Sequence, residues 1–254
     1  MPKSASDKRH FIIAGALVAI STVLMDMLLK AAMPLPIQAS IEALTIDALI
    51  GWHLTLIAFL FSLIVVFMLY SMVVFRQRPG DDSEGEHFEG NTILEIVWTV
   101  VPLIFVVVFS FYGINALATV TRGEPNELEV KAVGFQWSWR FEYPNGIISQ
   151  ELVLPVNQRV YVDLQAEDVL HSFWIPEMRV KQDLVPGSPT HIRFTPIATG
   201  DFKVRCAELC GRSHWSMESP VRIVEQAEYD QWVTDQLAAQ NPSVVQADGA
   251  QSVD

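Results

Sequence analysis

Three long apolar runs come before any sustained alternation of apolar and polar residues. The stretch from Ile50 to Phe75 carries no Lys, Arg, Asp or Glu, and its length lets a helix rising about 1.5 Å per residue cross a hydrocarbon core of about 30 Å. A second run, from Thr92 to Val120, has one carboxylate, Glu95, close to its start and Pro102 about two turns further in. Proline is tolerated inside a membrane helix because neighbouring helices satisfy the freed carbonyl. The run from Phe11 to Leu29 follows Lys3, Lys8 and Arg9 and holds Asp26 near its end. It reads either as a secretory signal peptide or as an uncleaved anchor. Ala31-Ala32 and the Gln38-Ala39-Ser40 neighbourhood offer small residues to a peptidase, and no cysteine follows closely enough for a lipoprotein anchor.

Charge orients these runs. The basic N-terminus stays inside, the run from Phe11 leads out, the run from Ile50 returns, and Arg76 and Arg78 mark an inside loop. The helix from Thr92 then leads outward, which sets everything after about Thr121 on the outer face. Beyond that point the pattern changes to period two. Gln136 to Tyr143 alternates aromatic and polar residues and runs into the turn Pro144-Asn145-Gly146. Further short runs follow at Ser149 to Leu154, Arg159 to Leu164, His191 to Phe194, Asp201 to Cys206 and Pro220 to Val224. Short strands divided by Pro and Gly turns predict a β-sandwich. After Glu225 the spacing of Tyr229, Trp232, Val233 and Leu237 predicts a helix. The plan is therefore a signal peptide or extra transmembrane helix over 1–40, a transmembrane helical hairpin over 41–120, an all-β domain with a C-terminal helix over 121–238, and a disordered tail over 239–254.

Candidate chemistry is concentrated in twelve residues. Cys206-Ala-Glu-Leu-Cys210-Gly-Arg-Ser-His214-Trp-Ser-Met217 holds both cysteines of the 254-residue chain with a histidine and a methionine. Thiolate, imidazole and thioether are the ligands that soft, electron-transfer copper favours. One His with two Cys satisfies a mononuclear site, but a thiolate also bridges two metals. A second imidazole is then wanted, and His171 in Val169-Leu-His-Ser-Phe-Trp-Ile-Pro176 is the best-placed candidate. The competing reading of two nearby cysteines on an oxidising face is a structural disulfide. The stripe Trp137, Trp139, Phe141, Tyr143 reads equally as one face of a strand packing a core.

Five motifs in order carry a family resemblance over about Gly51 to Val233. They are Glu95-Ile-Val-Trp98-Thr99-Val-Val-Pro102, Gln136-Trp137-Ser-Trp139, Glu167-Asp168-Val-Leu-His171-Ser-Phe-Trp-Ile-Pro, Arg179-Val-Lys181-Gln-Asp183-Leu-Val-Pro186-Gly187, and the loop from Cys206 to Met217. The chain resembles subunit II of haem-copper cytochrome c oxidases, whose membrane-anchored, cupredoxin-like Greek-key sandwich carries the binuclear copper centre called CuA. The resemblance implies a subunit of an oxidoreductase and translocase whose oxygen chemistry lies in a partner, with no catalytic residue in this chain. It makes Cys206 and Cys210 bridging thiolates, His171 and His214 imidazole ligands, and Met217 a weak ligand. Glu208 is similar to the glutamate whose carbonyl binds copper while its carboxylate reaches a magnesium ion shared with subunit I. Trp137 resembles the exposed tryptophan through which the electron arrives, and Glu95 resembles the carboxylate at the mouth of a proton pathway. Without the family, Glu95 reads as an interfacial carboxylate that snorkels to headgroups.

The implied partners are subunit I, subunit III and a donor, cytochrome c or another small carrier, with the chain in a bacterial-type cell membrane as a multi-pass protein. No nucleic-acid partner is expected. The chain has a net charge of −12, and from Thr121 onward 11 Lys and Arg face 19 Asp and Glu. Such a face steers a basic donor and makes its association fall with salt, and Glu142, Glu167 and Asp168 are the docking residues expected. Each also reads as an ordinary solvated charge. The chain has no Cys-x-x-Cys-His, so no fused c-type haem is expected. A membrane-tethered copper carrier without electron transfer is the alternative from another class; it requires neither Glu95 nor the aromatic strand.

Overall fold

The computed structural model describes residues 5–77, 79–80 and 89–240. Lys3, Arg78 and nearly all of the tail expected to be disordered lie outside the described residues. Ala239 and Gln240, assigned to that tail, instead complete a helix.

Three helices, α1 (Ala5–Ala32), α2 (Ile41–Val74) and α3 (Thr92–Thr121), are each long and apolar enough to cross a membrane. The chain is membrane-anchored, with one more candidate span than a bare hairpin. Helix α2 starts nine residues before the uncharged run because its first turn has polar partners. The Ser40 hydroxyl accepts the Ala43 amide at 3.0 Å, as an N-cap residue does, and Glu42 lies in the positive first turn. Asn91 caps α3 in the same manner through Leu94 N at 3.1 Å.

The chain divides into two compact units, one of Met1–Leu35 with Asp47–Ile114 and the other of Pro36–Ile46 with Asn115–Asp254. The second holds ten strands: β1 (Leu128–Phe135), β2 (Ser138–Glu142), β3 (Ile148–Ser149), β4 (Leu152–Pro155), β5 (Val160–Ala166), β6 (His171–Ile175), β7 (Val180–Leu184), β8 (Thr190–Phe194), β9 (Gly200–Cys206) and β10 (Glu218–Val224). They form two five-stranded sheets, ordered β3-β2-β1-β5-β8 and β4-β10-β9-β6-β7. The β1/β5 and β4/β10 pairs are parallel and the others antiparallel. This is the expected sandwich.

Trp139, Phe141, Phe173, Phe194 and Leu164 are fully buried in its core, and burial of each such side chain is worth about 1.5–3 kcal/mol. Helix α4 (Gln226–Gln240) buries Tyr229 and Trp232, the latter with its ring centroid 5.1 Å from Tyr143. Tyr143 in turn donates to Val153 O at 3.0 Å and accepts Val153 N at 2.8 Å, so the aromatic stripe is pinned at its far end.

The strand expected to run unbroken from Gln136 to Tyr143 is corrected by the fold. Gln136 and Trp137 form the turn between β1 and β2. Trp139, Phe141 and Tyr143 therefore share the core face, while Trp137 leaves it and is 39% exposed. Period two does not distinguish a strand from a hairpin whose turn happens to carry the next aromatic residue. Three strands were missed: β1, which pairs with β2 and β5, and β6 and β7, which pair with each other.

One charged network is buried beside this core. Arg159 pairs with Glu42 at 2.8 Å and with Glu127 at 3.3 Å, and donates to Val120 O and Arg122 O at 3.0 and 2.8 Å. Glu42 also accepts the Thr195 amide at 2.9 Å. The guanidinium thus closes carbonyls at the end of α3, where a cation is favoured, and neutralises a carboxylate in the first turn of α2.

Candidate metal centre

Antiparallel pairing brings the two halves of the site together. Strand β6 begins at His171 and pairs with β9, with Phe173 opposite Cys206. Strand β9 ends on Cys206. The chain then turns through Cys210, makes a short 3₁₀ turn over His214–Ser216, and enters β10 immediately after Met217. The turn is closed by Cys206 N donating to Met217 O at 3.0 Å. Two strands far apart in sequence and one tight loop thus bring five side chains together.

The Cys206 and Cys210 sulfurs are 3.7 Å apart and both cysteines are free. That separation is far beyond the 2.05 Å of a disulfide. His171 Nδ1 lies 3.8 Å from Cys206 Sγ, His214 Nδ1 3.6 Å from Cys210 Sγ, and Met217 Sδ 3.7 Å from Cys210 Sγ. Ligand atoms of His171, Cys206 and Cys210 all lie within 4.8 Å of one another. The Glu208 carbonyl oxygen faces the same point, 3.2 Å from Cys206 Sγ. One imidazole stands beside each thiol, and the sulfurs lie between them. The donor set is soft, nearly dry and convergent, and so fits copper.

Asp168 orients the buried imidazole. Its Oδ1 lies 2.8 Å from His171 Nε2, and its carboxylate also accepts the amides of Val169 at 2.7 Å and Gln136 at 2.8 Å. Burial alone would raise the carboxyl pKa, but the contact with His171 and these two amides outweigh it and hold Asp168 below the usual range. An ionised carboxylate only accepts. Nε2 must therefore carry a proton, which leaves Nδ1 as the nitrogen that faces Cys206 and is open to a metal. This is the carboxylate-to-histidine support found around metal-ligating imidazoles.

The two thiols are inequivalent. Burial opposes ionisation of Cys206, yet His171 and the backbone around it outweigh that and draw its pKa down. Cys210 is pushed up by burial and then by the adjacent Cys206. Without a cation the pair thus sheds one proton readily and keeps the other.

Two glycines leave room for this packing. A Cβ at Gly134 on β1 would stand 3.3 Å from the His171 ring and 3.1 Å from Leu184. Gly211 has φ +122°, and a Cβ there would lie 2.9 Å from Gln136 Nε2 and 3.2 Å from the Trp137 indole. Both neighbours hydrogen-bond the Cys210 carbonyl, Gln136 Nε2 at 2.7 Å and Trp137 Nε1 at 3.2 Å. Sequence reasoning missed Gly134, Gln136 and Gly211. Only the glycine directly after Cys210 offered a hint.

The remaining expected residues lie elsewhere. Glu142 is paired with Arg140 at 2.9 Å and Lys131 at 3.4 Å, and Glu167 with Arg140. Asp168, expected at a donor surface, spends its carboxylate on His171 and two amides and is one-third exposed. Glu95 sits exposed in the first turn of α3, remote in sequence from the copper loop.

A sandwich on a membrane anchor, with a soft-metal site on the loop joining two strands of one sheet, defines a cupredoxin-like membrane protein. Residues 11–115 match the family described as cytochrome C oxidase subunit II, transmembrane domain, and residues 146–225 match cytochrome C oxidase subunit II, periplasmic domain. The cytochrome c oxidase subunit 2 of Synechocystis sp. is 32% identical over 258 residues, covering 83% of this chain and 78% of that protein. That of Alkalihalophilus pseudofirmus is 38% identical over 180 residues, covering 67% of this chain and 53% of its own length. The crystal structure of the periplasmic domain of subunit II of the Bradyrhizobium japonicum cytochrome oxidase is 33% identical, covers 43% of this chain and 92% of that one, and superposes with a TM-score of 0.41. The chain belongs to the cytochrome c oxidase subunit II family, and is thus a subunit of an oxidoreductase complex with other oxidase subunits.

Proposed function

We propose that this chain accepts electrons one at a time from cytochrome c or a similar small carrier and passes them to haem in subunit I, where oxygen is reduced with proton translocation. The observation that carries the reading is the convergence of His171, Cys206, Cys210, His214 and Met217, each with a donor atom within 3.8 Å of a cysteine sulfur of the loop. These residues, with the Glu208 carbonyl, would hold two coppers. When bound, such a pair would supply one-electron redox chemistry.

The chain's own residues do the rest. Asp168 holds the His171 proton on Nε2 and so presents Nδ1 to the metal. Trp139 and Phe173, with ring centroids 5.9 Å apart, keep water from the buried side. Trp137 joins the exposed surface to the Cys210 carbonyl by one hydrogen bond, a short path from a docked donor to a ligand. Glu142, Glu167 and Asp168 would dock that donor on the outer face. Arg140 and Lys131 offset part of their charge, so the steering arises from the face as a whole. The Glu208 carboxylate would hold magnesium with subunit I, and Glu95 would receive protons at the opposite end of the hairpin. Subunit III would be a further neighbour in the membrane.

The test is to load the full chain in detergent with copper and record metal content, optical absorption and electron spin resonance. Two coppers per chain sharing one unpaired electron are expected. One exchangeable copper would instead favour a copper carrier, and a Cys206 to Cys210 disulfide that excludes metal would favour a structural role.

A further inference from the structure

The structure assigns α1 as a permanent third span, locked to α2, and not as a leader removed after export. Three observations carry this, each within one compact unit. The first is a pair of polar latches. His10 Nδ1 and the Tyr70 hydroxyl are 2.7 Å apart near one end of α1, and Thr55 donates to Asp26 Oδ1 at 2.9 Å near the other. Asp26 is also paired with Lys30, one turn on, at 2.7 Å. An ionisable group in a span is costly unless partnered, and here one partner comes from the neighbouring helix.

The second observation is register. The two latches imply one antiparallel alignment, because moving sixteen residues along α1 from His10 to Asp26 moves fifteen back along α2 from Tyr70 to Thr55. That alignment sets Val18 opposite Ser62 and Thr22 opposite Ala58. Val18, Ser62 and Ala58 are all buried, as is Ala14 one turn before Val18. Small residues along one stripe let membrane helices approach closely. The opposite side of α1, with Ile12 and Leu24, is exposed. A signal peptide needs only an apolar core of about 7–15 residues, and neither matched latches nor a buried stripe.

The third observation concerns the residues after α1. A peptidase acting at Gln38-Ala39-Ser40 would cut into the folded sandwich. Ala39 is fully buried, its amide donates to Glu177 O at 3.0 Å, and its carbonyl accepts the Ile197 amide at 2.9 Å. The Ser40 hydroxyl donates to Met178 O at 2.7 Å, and Arg179 donates to Pro36 O at 2.6 Å. The segment is a strap whose backbone groups already serve the sandwich, and removing it would leave their partners unpaired.

The assignment is independent of copper, so its failure and that of the proposed function separate cleanly. The chain is isolated within the oxidase complex from membranes, and its N-terminal sequence and intact mass are read. An N-terminus ahead of Phe11 is expected; one anywhere from Ala31 to Ser40 overturns the proposal. The packing is tested in membranes with His10→Cys plus Tyr70→Cys, bridged by a short bis-maleimide and identified as a linked peptide by mass spectrometry. Ile12→Cys plus Tyr70→Cys, on the exposed side, is the control. A link in the first pair alone supports the lock. A retained α1 with no link, or equal linking in both pairs, overturns it.

Discussion

Gly211→Ala adds one methyl group and strikes the copper loop at its tightest point. The new Cβ would lie 2.9 Å from Gln136 Nε2 and 3.2 Å from Trp137 Cζ2 and Nε1, on a residue whose φ is +122°. Backbone strain of this kind in a residue other than glycine costs about 1–3 kcal/mol. The contact adds to it, because Gln136 and Trp137 must move, and both donate to the Cys210 carbonyl. Each such bond is worth about 0.5–1.5 kcal/mol. The whole loss is therefore about 2–6 kcal/mol, a large share of the 5–15 kcal/mol that holds a domain folded.

The functional consequence follows from the same contact. Displacing Trp137 breaks the one hydrogen bond between the exposed indole and the Cys210 carbonyl, while Cys206, Cys210, His171 and His214 keep their places. Copper-loaded wild-type and variant chains would be compared by thermal melting, copper content and the rate at which reduced cytochrome c is oxidised. The variant is expected to melt earlier and oxidise the donor more slowly at an unchanged copper content. A melt within about 1 kcal/mol of wild type together with an unchanged rate would refute the argument, since that strain and that path cannot both be absent.

Four further outcomes follow from the same geometry. Trp137→Phe removes the indole donor but keeps an aromatic ring, and is expected to slow donor oxidation while leaving the copper spectrum intact. Asp168→Asn removes the carboxylate that fixes His171, and copper affinity measured by chelator competition should fall about 10–100-fold. Arg159→Met leaves Glu42 buried without its cation and should cost about 3–5 kcal/mol in thermal melts, with Glu42→Gln added to it recovering part of the loss. Asp168, Glu142, Glu127 and Glu218 all have depressed pKa values in the fold; their contribution is present above the ordinary carboxyl range near 4 and is lost as pH falls through the depressed values. The carboxylates' share of the melting temperature should therefore be lost below about pH 4.

What was legible in the sequence depended on whether the relevant contacts were local. A run without charge reports its own burial in lipid, so the hairpin helices were readable at once. The start of α2 was not, because nine residues that look indifferent become helical through a cap at Ser40 and a tie from Glu42 to Arg159, 117 positions away. The copper loop was readable for the opposite reason. Four of its candidate ligand side chains fall within twelve residues, and ligand chemistry narrows what such a set is for. His171 was named as a candidate from its motif, but what brings it to the loop is the pairing of β6 with β9, which spacing alone does not state.

The least legible part of the site is its support. Gly134, Gln136 and Gly211 carry no metal-binding chemistry, and their importance arises only when β1 and the copper loop come together. Asp168 shows how such a residue carries a second task. Beside Glu167 on an acidic face it has the look of a docking charge, yet its three contacts to His171, Val169 and Gln136 turn it inward. One carboxylate thereby fixes the tautomer of a ligand and closes the turn that carries Trp137. Because the two tasks share that carboxylate, Asp168→Asn should disturb the metal and the donor path together, whereas a purely electrostatic docking residue would alter only the salt dependence of donor association. That difference separates an inward role from an outward one.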